Sequence, residues 1–402
     1  MSKLICTFLA LLLLSGCTSR PKNIDEMVQQ AELGDPSIQS SLAKMYSKGI
    51  GTERDYTKAL YWYEQAANQG DARAQTNLGW MYDKGLGVSR DYKQAAFWYR
   101  KAAEQGDKWA QNNLGLMYKK GRGVSQDDKH AVAWYRKAAN QGYARAQTNL
   151  GWMYEEGRGV SQDDKHAVTW YRKAANQGYA RAQRNLGWMY DKGRGVSPDY
   201  KQTVFWYRKA AEQGDKWAQN NLGLMYKNGR GVPQDDKQAV IWFRKSADQG
   251  HSRAQNNLGL MYKKGRGVPL DNKIAVDWFS KAAEQGYRCS QNELALMYSK
   301  GTGVVQDDSK MFFWFKKSAE QGLAVAQVNL GATYEEGLGV TQDYQKARFW
   351  YEKAASTEYA SAFHQLSRLY REGLGVEVDI KKADELASKA KALGYECDDT
   401  ES

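Results

Sequence analysis

The sequence predicts an all-α fold, a right-handed α-solenoid of ten helix–turn–helix repeats of 36 residues. Three observations carry this prediction: a Gly-x-Gly pair returns every 36 residues, an aspartate follows each pair at a fixed distance, and the apolar residues between these markers recur with helical period. The repeats run over residues 35–394 without an insertion or deletion. Because one helical pair cannot bury its apolar face alone, neighbouring pairs are expected to stack.

Residues 71–106 show the two helices predicted in each repeat. Helix A is expected over residues 72–84 and helix B after Asp91, since each stretch has apolar residues three and four apart. Gly85 is the expected left-handed C-cap of helix A, and Asp91 is the expected N-cap of helix B. The ten equivalent aspartates could also suggest acid chemistry or cation binding, but capping explains each one singly.

Large rings and chain ends define the predicted core and caps. Nine of the 14 tryptophans occupy one position of helix B, that of Trp98, and such a row at helical spacing predicts a core. The tenth repeat has Leu386 there, inside a charged helix, as an outward-facing terminal cap requires. Residues 24–33 are expected to form a half-repeat that seals the N-terminal end.

Each unit resembles the Sel1-like repeat, a relative of the tetratricopeptide repeat. The resemblance rests on an AxAQxNLGxMY helix, a GxGV turn and a DxxxAxxWYxKAAxQG helix, as in residues 72–106, and it covers about 360 of the 402 residues. It implies an adaptor or partner-binding surface in signalling, bacterial envelopes or host contact. Some bacterial members have a disulfide in each repeat, and enzymatic activity has been attributed to a few. This chain departs from them, because its only cysteines are Cys6, Cys17, Cys289 and Cys397.

The N-terminus predicts a lipoprotein leader. Lys3 precedes an apolar run over residues 4–14, which is too short to span a bilayer as a helix but suits a signal-peptide core. The ending Leu14-Ser15-Gly16-Cys17 resembles the bacterial lipobox, which implies acylation of Cys17 and a membrane anchor. The alternatives are an ordinary secretory signal and a fortuitous cysteine. The residues after Cys17 are not aspartate, and in lipoproteins sorted by that residue this implies attachment to the outer membrane. Whether the protein faces the periplasm or the cell surface is left undecided.

The predicted domain organisation follows from these segments. Residues 1–16 are the signal peptide, residues 17–34 the lipidated N-terminus with the capping half-repeat, residues 35–394 the ten repeats, and residues 395–402 an acidic tail. Cys289 and Cys397 lie three repeats apart, so they are not expected to form a disulfide with each other.

Positive charge is concentrated in the middle of the chain. The net charge is +12, residues 107–286 sum to +14, and the tail carries −4. Stacking would align five arginines from the Gly-x-Gly turns, here called the basic edge: Arg122, Arg158, Arg194, Arg230 and Arg266. Such an edge would attract an acidic protein, anionic lipid headgroups or lipopolysaccharide phosphate, while export disfavours nucleic acid. The open alternative is a solubilising edge copied by duplication.

A second surface is predicted on helix A, beside the core stripe. Repeat positions 3, 7, 10 and 14 fall within an arc of about 60°, where related solenoids have their concave wall. Aromatic residues and arginine dominate interface hot spots. The predicted partner-binding groove comprises Arg73, Asn77, Trp80, Trp109, Asn113, Leu116, Arg145, Asn149, Trp152, Arg181, Asn185, Trp188, Trp217, Asn221 and Arg253. Alternatively, the asparagines bond to neighbouring backbone and some tryptophans fill gaps between repeats.

Nothing in the sequence indicates catalysis or a cofactor. Almost every polar candidate recurs 36 residues later, whereas an enzyme needs one convergent set of unlike residues. His130 and His166 follow paired aspartates, but neither has a third ligand with zinc spacing. The Gly-x-Gly-Val turns lie between helices and are no dinucleotide fingerprint. The sequence therefore predicts neither enzyme activity nor metal binding.

The predicted function is a membrane-anchored repeat scaffold that binds a partner protein with an acidic surface, as an envelope or host-interaction adaptor. One alternative, implied by the resemblance, is a periplasmic immunity protein that neutralises a secreted phospholipase toxin delivered by type VI secretion. A second alternative is binding of anionic glycan or lipid by the basic edge. The partner and the oligomeric state stay open.

Overall fold

The computed structural model describes residues 24–395, which contain 21 α-helices and no β-strand, so the predicted all-α solenoid is confirmed. Cys17, the predicted signal peptide and the tail beyond Tyr395 lie outside the described residues. The helices are α1 (Ile24–Glu32), α2 (Pro36–Lys48), α3 (Tyr56–Asn68), α4 (Ala72–Lys84), α5 (Tyr92–Glu104), α6 (Lys108–Lys120), α7 (Asp128–Asn140), α8 (Ala144–Glu156), α9 (Asp164–Asn176), α10 (Ala180–Lys192), α11 (Tyr200–Glu212), α12 (Lys216–Asn228), α13 (Asp236–Asp248), α14 (Ser252–Lys264), α15 (Asn272–Glu284), α16 (Arg288–Lys300), α17 (Asp308–Glu320), α18 (Ala324–Glu336), α19 (Tyr344–Ala355), α20 (Ala360–Glu372) and α21 (Ile380–Ala392).

Helix pairs stack in chain order. The even-numbered helices are helix A and the odd-numbered helices from α3 onward are helix B. The chain forms two compact units, one ending at Trp170 and the other beginning at Tyr171. Within each unit, helix A packs against helix B of its own repeat and against helix B of the preceding repeat. None of the described helices combines the length and apolarity needed to cross a bilayer.

The core is built from small and medium residues of helix A and a ring of helix B. Leu78 and Met81 are fully buried, and the ring of Tyr99 is 2% exposed. Helix A approaches that ring closely, because a Cβ on Gly79 would lie 2.9 Å from Tyr99 Cδ1. This packing leaves no space for a side chain at the glycine position.

The predicted tryptophan row is only partly a core. Trp62, Trp98 and Trp278 are buried, whereas six others are half-buried: Trp134, Trp170, Trp206, Trp242, Trp314 and Trp350. The fully buried ring is the next residue of helix B, a tyrosine or phenylalanine. The tyrosine or phenylalanine is more buried because its side chain points about 100° further around helix B than that of the tryptophan, toward the glycine of helix A.

The turn and cap predictions are confirmed. The first glycine of each pair ends helix A in the left-handed conformation, as at Gly121 with φ 62°. Each of the ten aspartates accepts a backbone N–H from the first turn of helix B, as Asp91 does from Gln94 N at 3.0 Å. The second glycine is required for a different reason. A Cβ on Gly123 would lie 1.9 Å from the carbonyl oxygen of Tyr92 in the preceding repeat, so a side chain there would clash.

Buried glutamines link successive repeats, a feature that the sequence reasoning missed. Gln75 donates through Nε2 to the carbonyl oxygen of Ala67 at 3.0 Å, and its Oε1 accepts from Gln105 Nε2 at 2.8 Å. A buried amide is stabilised only when both ends are bonded. The series ends at Gln327, whose Oε1 has no partner among the described residues, because Thr357 stands where other repeats have glutamine.

Both predicted caps are present. In α1, Met27 and Ala31 are buried, and this lone helix packs on α2. In α21, Ala383 and Ala390 are the buried residues, while the lysines of that helix face outward. The final helix therefore presents a charged surface where another repeat would otherwise stack.

Candidate functional site

Five predicted groove residues line one cavity in the first unit, here called cavity 1. It has a volume of 630 Å³ and lies on α2, α4 and α6. Helix α4 contributes Arg73, Asn77 and Trp80, and α6 contributes Trp109 and Asn113. Trp109 is 48% exposed, so the cavity has an open apolar surface.

Cavity 1 also contains residues that sequence reasoning missed. Hydroxyl groups, lysines and a cap aspartate complete its wall: Ser37, Ser40, Ser41, Ser47, Thr76, Tyr63, Lys44, Lys48 and Asp71. The Asp71 carboxylate accepts the backbone N–H of Ala74 at 2.6 Å, so it is engaged in capping α4. Among the described residues, no carboxylate pairs with Lys44, Lys48 or Arg73. The cavity therefore carries unneutralised positive charge.

Six predicted groove residues line a second cavity in the second unit, here called cavity 2. It has a volume of 910 Å³ and lies on α10, α12 and α14. Its predicted members are Arg181, Asn185, Trp188, Trp217, Asn221 and Arg253, and the residues that sequence reasoning missed are Arg184, Asp215, Asn220 and His251. Trp217 is 49% exposed, almost the same fraction as Trp109 in cavity 1.

An ion pair and an aromatic cluster organise cavity 2. Arg184 Nη1 lies 3.1 Å from Asp215 Oδ2, and the Arg184 guanidinium lies 4.9 Å from the centre of the Trp217 ring. The edge of Trp217 meets the ring of His251 at 6.2 Å. Burial, together with the nearby charges of Lys216 and Arg253, lowers the pKa of His251 to about 4. His251 is therefore neutral at pH 7, and Arg181 and Arg253 are the cations without a carboxylate partner among the described residues.

Neighbouring asparagines contact two of the amides that line the cavities. Asn112 Nδ2 donates to Asn113 Oδ1 at 3.4 Å, and Asn220 Nδ2 donates to Asn221 Oδ1 at 3.3 Å. These two bonds use the amide oxygens, so the side-chain N–H groups of Asn113 and Asn221 can donate to a ligand.

Four predicted groove residues lie outside both cavities: Leu116, Arg145, Asn149 and Trp152. Asn149 Nδ2 donates to Asn112 Oδ1 of the preceding repeat at 2.9 Å. The ammonium of Lys119 lies 3.2 Å from the centre of the Trp152 ring. These two contacts favour the inter-repeat interpretation for Asn149 and Trp152, whereas Leu116 is half-buried and Arg145 is exposed.

The arginines of the basic edge lie at repeat junctions, where carboxylates and rings contact them. Arg158 forms two hydrogen bonds with Asp128 at 2.8 and 3.0 Å, and Arg266 forms two with Asp236 at 2.9 and 2.8 Å. The pairing with Asp236 raises the pKa of Arg266.

The other three arginines of the edge have related contacts. Arg230 lies 3.1 Å from Asp191 Oδ1. Arg122 stacks 5.3 Å from the ring centre of Tyr92, and Arg194 stacks 5.3 Å from that of Trp188. Three of the five arginines therefore pair with a carboxylate of the preceding repeat, and the other two stack on aromatic rings.

The two histidines considered for metal binding act at helix starts. His130 Nδ1 lies 2.7 Å from Asp127 Oδ2 and its ring stacks on Tyr118 at 5.1 Å. His166 has the same arrangement with Asp163 and Tyr154. Within residues 24–395, no group of three or more histidine, cysteine, aspartate or glutamate side chains could hold a metal ion.

The repeat architecture and the Sel1 motif now identify the family. The Sel1 repeat model matches ten times, at residues 37–71, 72–107, 110–143, 144–179, 180–215, 218–251, 252–287, 290–323, 324–356 and 360–395. The chain belongs to the Sel1 repeat family. A Sel1 repeat solenoid is typically a non-enzymatic scaffold suited to protein–protein interaction, and the cavities lie on such a scaffold.

Two solved structures that are 36% identical to this chain resemble it over most of its length. A protective antigen of uropathogenic Escherichia coli strains is 36% identical, with 92% of this chain and 91% of that chain covered and a TM-score of 0.69. A Sel1 repeat protein from Oxalobacter formigenes is 36% identical, covering 77% and 90% with a TM-score of 0.61. An immunity protein from Pseudomonas aeruginosa is 24% identical, covering 53% and 81% with a TM-score of 0.36. No curated protein matches the chain.

Proposed function

We propose that this Sel1 repeat protein is a lipid-anchored scaffold of the bacterial envelope that binds a partner protein through the helix A cavities. The observation that carries the proposal is the pair of half-exposed tryptophans, Trp109 and Trp217, each within a cavity lined by asparagine and unpaired cations. Exposed aromatic area beside arginine is typical of interface hot spots. The anchor is Cys17, and the proposed membrane is the outer membrane.

Replacing both tryptophans tests the proposal. In Trp109→Ala/Trp217→Ala, we expect capture of the partner from envelope and secreted proteins to be lost, because truncation of a hot-spot ring costs about 2 kcal/mol or more in binding. The melting temperature should stay close to that of the wild type, since both rings are about half exposed. Captured proteins are identified by mass spectrometry, and folding is followed by circular dichroism.

A matched control exists on helix B. Phe97 and Phe205 are 47% and 48% exposed but lie outside the cavities. Phe97→Ala/Phe205→Ala should therefore capture the same partner as the wild type. Equal capture by the tryptophan variant would overturn the proposal, and a stoichiometric toxin among the captured proteins would direct it to the immunity role.

A further inference from the structure

Cavities 1 and 2 share one wall by duplication. The Arg-Asn-Trp set of α4 and the Trp-Asn set of α6 recur 108 residues later in α10 and α12, and residues 107–118 are identical to residues 215–226. Arg73 thus corresponds to Arg181, and Trp109 to Trp217. Cavity 1 lies in the first unit and cavity 2 in the second, and each contains one copy of this wall.

The geometry around the two tryptophans is also duplicated. Trp109 meets the ring of Tyr143 edge-on at 6.2 Å, and Trp217 meets the ring of His251 edge-on at 6.2 Å. The lysine before each tryptophan places its ammonium 5.0 Å from one ring centre and 5.1 Å from the other. The two half-exposed indoles therefore share a ring contact and a lysine contact, and Trp217 has the Arg184 guanidinium in addition.

The charged residues of both cavities restrict which ligands can bind there. In cavity 1, Lys44, Lys48 and Arg73 have no carboxylate partner among the described residues, while Asp71 caps a helix. In cavity 2, Arg181, the counterpart of Arg73, and Arg253 of α14 have no carboxylate partner among the described residues, while Arg184 is neutralised by Asp215. Unpaired cations on an open wall attract carboxylates and repel basic groups.

We propose that cavities 1 and 2 are two copies of one peptide-binding site, each of which takes an extended acidic segment that also carries an apolar side chain. The unpaired cations bind the carboxylates, the indole packs on the apolar side chain, and the asparagine amides bond to peptide groups. Volumes of 630 and 910 Å³ suit a short peptide segment. The inference rests on the proposed function and adds the chemistry of the partner and a stoichiometry of two segments per chain.

The test is a titration of the purified protein with a fluorescent synthetic peptide that alternates glutamate and leucine. We expect two equivalent binding events in the wild type, and weaker binding as salt rises. The Arg181→Gln/Arg253→Gln variant should retain only one event, as should the Lys44→Gln/Arg73→Gln variant. The combination of all four substitutions should weaken binding at least tenfold. These side chains are exposed and have no ionic partner, so the variants are expected to fold.

Two controls distinguish binding at the cavities from general attraction to the positively charged protein. Lys237→Gln/Lys273→Gln removes two exposed charges from helix B and should leave both events unchanged. A peptide with glutamine in place of glutamate should bind at least tenfold more weakly.

Several outcomes would overturn the inference. They are a single peptide-binding event in the wild type, equal affinity for the glutamine and glutamate peptides, or unchanged peptide binding in the cavity variants. The inference would also fall if binding of phosphatidylglycerol vesicles were weakened by the same substitutions. If no acidic peptide binds but the tryptophan variant still loses its captured partner, the proposed function stands and this inference falls.

Discussion

At the scale of the residue, the aspartate before helix B shows how one side chain determines a boundary. In Asp127 the carboxylate accepts the backbone N–H of His130 at 2.9 Å, and this bond together with the His130 side chain lowers the pKa of Asp127. Asp307 and Asp343 have lowered pKa values for the same reason, with a lysine in place of the histidine. These caps therefore stabilise the fold above the ordinary aspartate pKa and less so as the pH falls below it.

His251 is a residue whose protonation should weaken the fold in mild acid. Its pKa in the folded state is about 4, below the ordinary histidine pKa of about 6.5, because burial and nearby cations oppose the charged ring. Between these two values the unfolded chain binds the proton more strongly, so the free energy of unfolding falls as the pH falls from about 6.5 to 4. Allowing for its half-exposed ring, the loss is on the order of 1 kcal/mol.

The matched variant is His251→Tyr, since Tyr143, Tyr179 and Tyr287 occupy this position in other repeats. Urea unfolding at pH 7 and pH 4 should show a smaller pH dependence for the variant than for the wild type. Identical pH dependence in the two proteins would contradict the assignment.

Glu358 is the non-glycine residue with positive φ among those described, at 58°. The corresponding positions in the neighbouring repeats are glycines such as Gly322, and a side chain in the left-handed region costs about 1 kcal/mol. Glu358→Gly should therefore raise the free energy of unfolding by about 1 kcal/mol. Glu358→Ala keeps the unfavourable φ and serves as the control, since it should give no such gain in the same denaturation experiment.

At the scale of the element, the two glycines of each turn serve different purposes. Gly121 ends α6 in the left-handed region, and its role was predictable from spacing and capping rules. Gly123 is required by the close approach of the Tyr92 carbonyl from the preceding repeat. That approach depends on how helix pairs stack, so only the packed structure explains the second glycine.

Two glycine variants distinguish the destabilisation caused by a steric clash from that caused by an unfavourable backbone φ. Gly123→Ala places a Cβ 1.9 Å from the Tyr92 carbonyl oxygen, whereas Gly142→Ala, at a similar positive φ, meets nothing within 4 Å. We expect a loss of about 1 kcal/mol in unfolding free energy for Gly142→Ala and about 3 kcal/mol for Gly123→Ala. Thermal and urea unfolding measure both, and equal losses would refute the close-approach account.

At the scale of the whole molecule, polar ladders accompany the apolar stack. Gln75 bridges two repeats inside the core, and Arg158 pairs with Asp128 across a repeat junction. Contacts of this kind recur at several junctions and add to the interface term of each repeat that has them, as expected for a one-dimensional array. The Arg–Asp pairs also neutralise arginines that composition alone would predict to be free on the surface.

Membrane attachment is a prediction for the whole molecule. Because the leader resembles a lipobox, we expect Cys17→Ser to abolish incorporation of labelled palmitate and to release the protein from the membrane fraction. Cys289→Ser is the control, since Cys289 lies within α16 and should not affect acylation. Palmitate labelling that persists in Cys17→Ser would exclude this anchor.

The sequence by itself determined the repeat length, the helix boundaries, the caps and the family, because these depend on local periodicity and backbone conformation. It also marked the tryptophan, arginine and asparagine positions of helix A, since one face of a helix is readable from spacing. Only the tertiary structure decided that Tyr135 is fully buried while Trp134 is half-buried, and that Arg266 pairs with Asp236. It also decided which groove residues line cavities 1 and 2. These outcomes depend on stacking between residues about 30 or more positions apart, and no local pattern encodes that geometry.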